Sequence, residues 1–175
     1  MEKYGKMTAP GTLVFERLLP GPVEKVWAYL TESEKRGKWL AKGEMELFEG
    51  GKVTLEFLHS DLSPDTNDPI PEKYKSMEHG ASSTGTVLKI SPPHLLAFTW
   101  ESNSDVTFEL KEQGEKVLLR LTHRNLVGSK DIRVETASGW HTHLGVLVAN
   151  LEATTPAGFW KTHMKLEQEY EQMLS

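Results

Sequence analysis

Short runs of alternating apolar and polar residues between positions 84 and 124 constrain the fold of this chain most strongly. The runs cover residues 84–90, 95–101, 105–111 and 116–124. A period of two places every second side chain on the same face of an extended strand, and the segment after each run contains turn-forming residues such as Pro92 or Gly114. Strands of this length and spacing predict an antiparallel meander with one buried face.

The apolar spacing changes to that of a helix after the last of these runs. Between residues 133 and 153, apolar side chains recur at positions i, i+4, i+7, i+8 and i+11, counted from Trp140. This spacing predicts a long helix with one apolar face. A helix-breaking segment follows at residues 154–158, and a second amphipathic pattern predicts a terminal helix over residues 159–173.

The N-terminal part of the chain predicts one strand and two short helices. Residues 12–19 are rich in β-branched and aromatic side chains, and the Pro-Gly-Pro sequence at residues 20–22 ends the strand. The second of these prolines suits the first turn of a helix, where its missing N–H has no bond to lose. Thr31 and Glu34 have the spacing of a capping box, which predicts a second helix ending near Leu40.

Two further runs, residues 44–48 and 52–59, flank Gly50 and Gly51 and predict a hairpin. Residues 60–83 then break every period, with several prolines, aspartates and serines. A connection of this length is usually functional or mobile. We therefore expect a lid over a site or a disordered insert.

This order of elements predicts an α+β helix-grip fold, in which a curved antiparallel sheet of about seven strands wraps around the long C-terminal helix. Two short helices follow the first strand, and an extra helix ends the chain. We expect residues 1–175 to form one domain with a core at residues 11–152, an insert at residues 60–83 and an appended helix at residues 159–173. An apolar cavity is expected between the sheet and the long helix.

Composition excludes several classes of function. The 175 residues contain no cysteine, which excludes a disulfide scaffold, a thiolate metal site and a cysteine nucleophile. The net charge is −5 and the 20 Lys and Arg residues are scattered, so no nucleic-acid partner is expected. No apolar run reaches the ~18 residues of a membrane span. The start also lacks the apolar core of a signal peptide, so we expect a cytoplasmic protein.

Residues 22–27, Pro-Val-Glu-Lys-Val-Trp, followed by Thr31 and Trp39, resemble the helical opening of the birch-pollen-allergen-like (START, SRPBCC) superfamily. Within that superfamily, the chain is similar to the branch named for homology to the C-terminal domain of the heat-shock-protein-90 ATPase activator. The resemblance implies the helix-grip fold predicted above. It does not by itself imply an activity, because one fold hosts many functions.

Three further segments resemble the same branch, in the branch's own order. They are residues 85–100, which match its central strand pair, residues 119–123, which match the strand before its long helix, and Gly139, Trp140, Leu144, Leu147 and Leu151, which match the start of that helix. The likeness covers residues 11–152. The insert and the helix after Pro156 depart from the simplest members, and both are expected to cover a cavity mouth or to form an oligomer contact.

The inward face predicted for the sheet and the long helix supplies the candidate ligand-binding residues. They are Leu55, Phe57, His59, Leu96, Phe98, Trp100, Phe108, Leu119, Leu121, His123, Trp140, Leu144 and Val148. Aromatic and apolar walls with a few polar groups are typical of small-molecule cavities. The alternative for the large aromatic residues, Trp100 and Trp140 among them, is that they only fill the core.

The histidines of the sequence carry the remaining candidate chemistry. His59 and His123 continue the apolar faces of their strands, so each must either hydrogen-bond inside the protein or contact a ligand. His141 and His143 lie two residues apart on a helix and point to nearly opposite sides, so we expect no metal site. We predict no cofactor and no catalytic residue, because the sequence has neither a nucleophile elbow nor a glycine-rich phosphate loop before a helix.

These observations favour a protein that binds a small hydrophobic or amphipathic ligand without catalysis. One alternative is a protein-interaction module of the co-chaperone kind, which needs an exposed apolar patch. A second alternative is an enzyme that uses His59 or His123 as an acid or base. The apolar face of the terminal helix is expected either to pack within the chain or to form a homodimer contact. Its residues are Phe159, His163, Leu166, Tyr170 and Leu174.

Overall fold

The alternating runs form strands of one curved antiparallel sheet. The computed structural model describes residues 2–174, so Met1 and Ser175, the two ends of the expected domain, lie outside the described residues. The strands are β1 (Lys6–Ala9), β2 (Thr12–Pro20), β3 (Lys52–Phe57), β4 (Ala81–Ser91), β5 (Leu95–Thr99), β6 (Asp105–Gln113) and β7 (Lys116–Arg124). Their order across the sheet is β1-β2-β7-β6-β5-β4-β3.

The helices follow the predicted order, and the long one packs on the sheet. They are α1 (Val23–Thr31), α2 (Ser33–Arg36), α3 (Lys130–Leu151) and α4 (Phe159–Met173), and single 3-10 turns occur at His59–Leu62, Glu72–Met77 and Glu101–Asn103. Trp140 of α3 meets Phe108 of β6 edge to face, with ring centroids 6.1 Å apart. The described residues confirm the predicted α+β helix-grip fold, with α4 as its extra terminal helix.

The inward face of the meander is core. Phe108 lies opposite Leu121 and Leu110 opposite Leu119 in the β6–β7 ladder, and Leu96 of β5 pairs with Phe108 from the other side. All five side chains are buried. Burying each such side chain stabilises the fold by roughly 1.5–3 kcal/mol, so this face anchors α3 to the sheet.

The predicted hairpin around Gly50 and Gly51 is wrong in its first arm. Residues 44–48 form no strand, and this segment meets β3 only through isolated bridges such as Met45 with Val53. The backbone before it turns at Gly43 (φ 125°), where a Cβ would collide with the carbonyl of Thr54. The edge strand on this side of the sheet is therefore β3, and the opposite edge is β1, which pairs with β2 and which the sequence patterns did not indicate.

The second short helix also differs from its prediction. Thr31 does not cap it, because this residue ends α1 and its hydroxyl donates to the Trp27 carbonyl at 3.0 Å. The helix α2 ends at Arg36 rather than near Leu40. The buried guanidinium of Arg36 hydrogen-bonds the carbonyls of Leu30, Thr31, Ala41 and Gly43, so the chain folds around it as a set of turns.

The insert at residues 60–83 is tied to α4. Both carboxylate oxygens of Asp68 accept backbone N–H groups at the start of α4, from Trp160 at 2.9 Å and from Lys161 at 2.8 Å. The hydroxyl of Ser63 donates to the Pro156 carbonyl at 3.0 Å. The insert therefore lies over α4 and forms one border of the site described next. No helix within residues 2–174 is long and apolar enough to cross a membrane.

Candidate functional site

A cavity of about 220 Å³ lies where α3, α4 and the insert meet the ends of β3 and β5. Its lining residues are Leu40, Phe57, His59, Tyr74, Met77, Ala81, Trp100, Glu101, Glu135, Thr136, Gly139, Trp140, His143, Phe159, Trp160 and His163. A larger depression of about 1,060 Å³ lies beside β1, lined by turns and chain ends. We place the candidate site in the smaller cavity because it gathers buried titratable side chains.

Aromatic side chains from every bordering element form the walls. Trp100 and Trp140 have ring centroids 5.0 Å apart, and Phe57 meets Trp100 edge to face at 6.1 Å. On the opposite side, Tyr74 of the insert stacks on Trp160 of α4 at 5.0 Å. Flat apolar surfaces thus form much of the cavity wall, which favours an apolar or aromatic guest.

The structure brings some of the predicted site residues to this cavity and leaves others in the core. Those in the lining are Phe57, His59, Trp100 and Trp140. Those outside it are Leu55, Leu96, Phe98, Phe108, Leu119, Leu121, His123, Leu144 and Val148. The apolar ones pack in or against the hydrophobic core, and His123 hydrogen-bonds to Ser104 and Trp140. The open space therefore lies at one end of the interface between sheet and helix.

His123 is hydrogen-bonded through both ring nitrogens. The indole N–H of Trp140 donates to its Nδ1 at 3.0 Å, so Nε2 carries the proton and bonds Ser104 Oγ at 2.9 Å. The Ser104 hydroxyl in turn donates to the Glu101 carbonyl at 2.6 Å. Burial lowers the pKa of His123 to about 4. This histidine positions Trp140 and has no free nitrogen for a guest.

His59 lies in the cavity wall with an unused nitrogen. Because β3 ends at Phe57, His59 starts a 3-10 turn instead of continuing the strand. Its ring lies 4.8 Å from Phe159 and 4.9 Å from Trp160, centroid to centroid, and only 6% of the residue is exposed. Within residues 2–174, its Nδ1 has no hydrogen-bond partner. Burial, with a smaller contribution from His163, lowers the pKa of His59 to about 4.

His143 lines the same cavity from α3. Its Nδ1 lies 2.8 Å from the Trp39 carbonyl oxygen, which accepts, so Nδ1 carries the proton and Nε2 keeps its lone pair. Its ring centroid is 5.6 Å from that of His59. Burial, followed by the neighbouring His59, lowers the pKa of His143 to about 3. The ring is therefore neutral at physiological pH.

A polar cluster closes the cavity between the insert and α4. Glu167 accepts the Tyr74 hydroxyl at 2.5 Å and His163 Nε2 at 2.7 Å on one oxygen, and Lys73 Nζ at 2.7 Å on the other. Burial opposes ionisation of Glu167, but the bonds from Lys73 and Tyr74 outweigh it and lower its pKa. Burial also lowers the pKa of His163, and Glu167 offsets this only in part. His163 Nδ1 is buried and lacks a partner in the described part of the chain.

The remaining histidine of α3 belongs to another part of the molecule. His141 Nδ1 lies 2.8 Å from the hydroxyl of Tyr170 and faces α4 outside the cavity. Among the residues that the structure describes, no three His, Asp or Glu side chains converge so that they could hold a metal ion. The cavity offers apolar contact and hydrogen bonding to neutral imidazoles, and its lining also contains the carboxylates of Glu101 and Glu135.

The sequence predicted that the insert and the terminal helix cover a cavity mouth or form an oligomer contact, but it placed none of their residues in the binding site. Tyr74 lies in a segment without periodicity, so no pattern marked it. Trp160 and His163 lie in the predicted terminal helix, and the face that includes His163 was expected either to pack within the chain or to form a homodimer contact. The helical spacing of Phe159 and His163 indicates that they share one face of the helix, but it does not indicate which part of the chain that face contacts.

Comparison with known proteins agrees with the fold. The model of the family described as activator of Hsp90 ATPase homolog 1-like protein matches residues 20–152 of this chain. The chain belongs to that family. In this chain, α4 follows the matched region, and the insert lies inside it. A search of curated proteins finds no match.

Several solved structures resemble this chain over nearly its whole length. The protein encoded by gene BPP1335 of Bordetella parapertussis, solved by solution NMR, is 40% identical, covers 98% of this chain and 90% of its own, and has a TM-score of 0.81. CalU16 from Micromonospora echinospora is 21% identical over 97% of this chain and 94% of its own, with a TM-score of 0.66. EF2215 from Enterococcus faecalis, a conserved protein of unknown function, is 20% identical over 97% and 88%, with a TM-score of 0.65. The last two show a shared fold.

Proposed function

We propose that this protein binds one small apolar or amphipathic molecule in the cavity between α3, α4 and the insert. The observation that carries this proposal is an aromatic-walled space with two buried imidazoles, His59 and His163, whose Nδ1 atoms have no partner among residues 2–174. A buried polar atom without a partner is costly, and a guest that bonds it removes that cost. The family membership supports the proposal, since the fold is one that hosts ligands or protein partners.

The size of the cavity restricts the guest. Its 220 Å³ is less than the ~300–1,000 Å³ of typical drug-sized sites, so a one- or two-ring molecule fits better than a long lipid. Affinity arises mainly from apolar burial, at roughly 25 cal/mol per Å² of surface removed from water.

Two glycines of α3 provide a matched test. An added Cβ at Gly139, in the cavity lining, comes no closer than 4.0 Å to its nearest neighbour, His163 Cε1. The larger side chain of a Gly139→Leu variant therefore extends into the cavity. Gly145 on the same helix is exposed, and an added Cβ there meets nothing within 4 Å, so Gly145→Leu is the control.

We expect neutral one- and two-ring aromatic molecules to shift the indole NMR signals of Trp100 and Trp140 in the wild type and in Gly145→Leu. The same molecules leave Gly139→Leu unshifted, because its cavity is filled. Native mass spectrometry of the freshly purified protein adds the mass of any retained guest and the subunit number, which tests the alternative of a homodimer through α4. If no molecule of the panel binds the wild type at millimolar concentration, the proposal fails.

A protein-interaction role is the second candidate, because apolar side chains are exposed at one end of the sheet. Leu47, Phe48 and Leu88 are 46%, 56% and 44% exposed. The turn that carries the first two is bonded to β4, through Gly50 N–H and the Val87 carbonyl at 2.9 Å. The family description directs the test to the Hsp90 ATPase.

For this candidate, we expect the wild type to bind purified Hsp90 and change its ATPase rate, and Phe48→Ser to weaken both effects. Val127 is also exposed but lies in the connection between β7 and α3, so Val127→Ser is the control. A wild type without measurable binding to Hsp90 excludes this partner.

A further inference from the structure

The proton positions on the cavity histidines determine what polar group a guest must carry. For His163, Nε2 lies 2.7 Å from a Glu167 carboxylate oxygen that already accepts the Tyr74 hydroxyl. A carboxylate only accepts, so Nε2 carries the imidazole proton and Nδ1 has a free lone pair. That Nδ1 is buried in a residue with 4% exposure and has no partner within residues 2–174.

The imidazole of His143 has the opposite tautomer to that of His163, and it also keeps one nitrogen as a hydrogen-bond acceptor. His143 donates from Nδ1 to the Trp39 carbonyl at 2.8 Å, which leaves Nε2 as the acceptor. The ring of His59 lies 5.6 Å from that of His143, centroid to centroid, and in the described part of the chain its Nδ1 has no partner and no hydrogen bond fixes its tautomer. Two imidazoles around the cavity thus offer acceptors, and the third adapts to the guest.

The charges around the cavity exclude an anionic guest. Glu101 and Glu135 are the charged residues of the lining, which contains no Lys or Arg. The ammonium of Lys73, the residue before Tyr74, is held by Glu167 at 2.7 Å and by Glu135 at 3.2 Å. A carboxylate placed here lacks a cation to pair with and loses its water, which is strongly unfavourable.

We propose that the guest is an aromatic molecule without negative charge whose polar group donates a hydrogen bond, such as an aromatic alcohol or an N–H heterocycle. This inference rests on the proposed function and names the chemistry of its ligand. The donor group bonds Nδ1 of His163 or Nε2 of His143, and the ring system lies against the aromatic walls. A hydrocarbon leaves both acceptors unsatisfied, and an acid presents the wrong charge.

Three molecules with the same ring system separate these possibilities. The first, 2-naphthol, donates a hydrogen bond, the second, 2-methoxynaphthalene, keeps the oxygen but has no donor, and the third, 2-naphthoate, is an anion. Calorimetric titration of the whole chain at neutral pH gives the three dissociation constants, with Gly139→Leu as the blocked control. We expect 2-naphthol to bind about tenfold more tightly than either of the others.

Imidazole nitrogen NMR provides the structural readout. On binding of 2-naphthol, the unprotonated nitrogen signal of His163 or His143 shifts, and 2-methoxynaphthalene leaves both signals in place. If 2-methoxynaphthalene binds within fivefold of 2-naphthol, or 2-naphthoate binds most tightly, the donor inference is overturned while ligand binding stands. If none of the three binds the wild type, the proposed function itself fails together with the inference.

Discussion

Arg36 is a buried cation that uses backbone carbonyls in place of a carboxylate. The residue is 1% exposed, and its guanidinium bonds the carbonyls of Leu30, Thr31, Ala41 and Gly43. Burial lowers the pKa of Arg36 to about 10, so the side chain stays charged at neutral pH. The side chain of Arg36 thus holds together the turns between the end of α1 and Gly43.

Replacing Arg36 with Met is expected to lower the free energy of unfolding by roughly 3–5 kcal/mol, because several buried carbonyls lose their donor at once. Urea denaturation followed by circular dichroism measures the loss. Lys35→Met on the same helix is the control, and it should change stability by no more than about 0.5 kcal/mol. A loss as small for Arg36→Met as for the control would contradict this account of the turns.

The start of α4 is capped from outside the helix. Gly158, at its N-cap position, has no side chain to accept a bond, and Asp68 of the insert accepts from the N–H groups of Trp160 and Lys161 instead. A carboxylate at a helix N-terminus also interacts favourably with the helix dipole. The cap therefore joins two segments that border the cavity.

Asp68→Ala is expected to lower the free energy of unfolding by about 1 kcal/mol, which is typical of a lost N-cap. Hydrogen exchange at the amides of Trp160 and Lys161 should become faster, since both lose their acceptor. Asp61 is exposed in the same insert, and Asp61→Ala is the matched control. Unchanged exchange at the two amides in Asp68→Ala would show that the cap does not hold the helix start.

The 3-10 turn Glu72–Met77 is held over the cavity by the Tyr74 hydroxyl. That hydroxyl donates to Glu167 at 2.5 Å and lies 2.9 Å from His163 Nε2. Removing the hydroxyl leaves the stack of the Tyr74 ring on Trp160 intact and takes away only the hydrogen bonds of that hydroxyl.

Tyr74→Phe is expected to increase the rate of tryptic cleavage after Lys75 by about fivefold, because local opening of the turn becomes cheaper by about one hydrogen bond. Limited proteolysis followed by mass spectrometry measures the rate at that bond. Tyr4→Phe removes a comparable hydroxyl contact, to Glu169 at 3.2 Å, far along the chain from the turn, and serves as the control. Equal cleavage rates in the two variants would show that the Tyr74 hydroxyl does not hold this turn in place.

Elements with a strong periodic signal were predictable, and those defined by distant contacts were not. The strands β5, β6 and β7 alternate because one face is core, and α3 carries its apolar face over many turns. β1 is only four residues long with mostly exposed side chains, so nothing in its sequence distinguishes it from a loop. The segment before β3 alternates without becoming a strand, because Gly43 redirects the backbone.

The same limit applies to the candidate site. Phe57, His59, Trp100 and Trp140 follow from strand and helix periodicity. Tyr74 meets Glu167 across 93 positions of sequence, and no local pattern encodes such a contact. The proton arrangement on the histidines likewise depends on partners that only the folded chain brings together.

At the scale of the whole molecule, burial keeps several histidines neutral. The pKa values of His59, His123 and His141 are lowered to about 4, and that of His143 to about 3, in each case chiefly by burial. An unfolded histidine has a pKa near ~6.5. Between these values the unfolded chain binds more protons than the folded chain, so acid favours unfolding.

We expect the free energy of unfolding to be highest above about pH 7 and to fall continuously as the pH drops from ~6.5 toward 4. Each unit of pKa difference contributes about 1.4 kcal/mol per histidine at the acid end, so the fold is lost before all of them can be protonated inside it. Urea titrations at half-unit pH steps measure the curve.

His59→Phe removes one of these groups without breaking a hydrogen bond of the ring, and it should flatten the pH dependence. His79 is exposed, so His79→Gln is the control for replacing a histidine outside the core. A wild-type stability that stays constant from pH 7.5 to pH 5 would contradict the assignment of the buried imidazoles as neutral groups.

The cavity borders are divided between the region that the family model matches and the helix that follows it. The match covers residues 20–152, which include Trp140 of α3 and Tyr74 of the insert, whereas Trp160 and His163 come from α4 beyond it. Both of these side chains lie in the cavity wall and outside every strand of the sheet. Two relatives that share the sheet but differ in their C-terminal helix can therefore accept different guests.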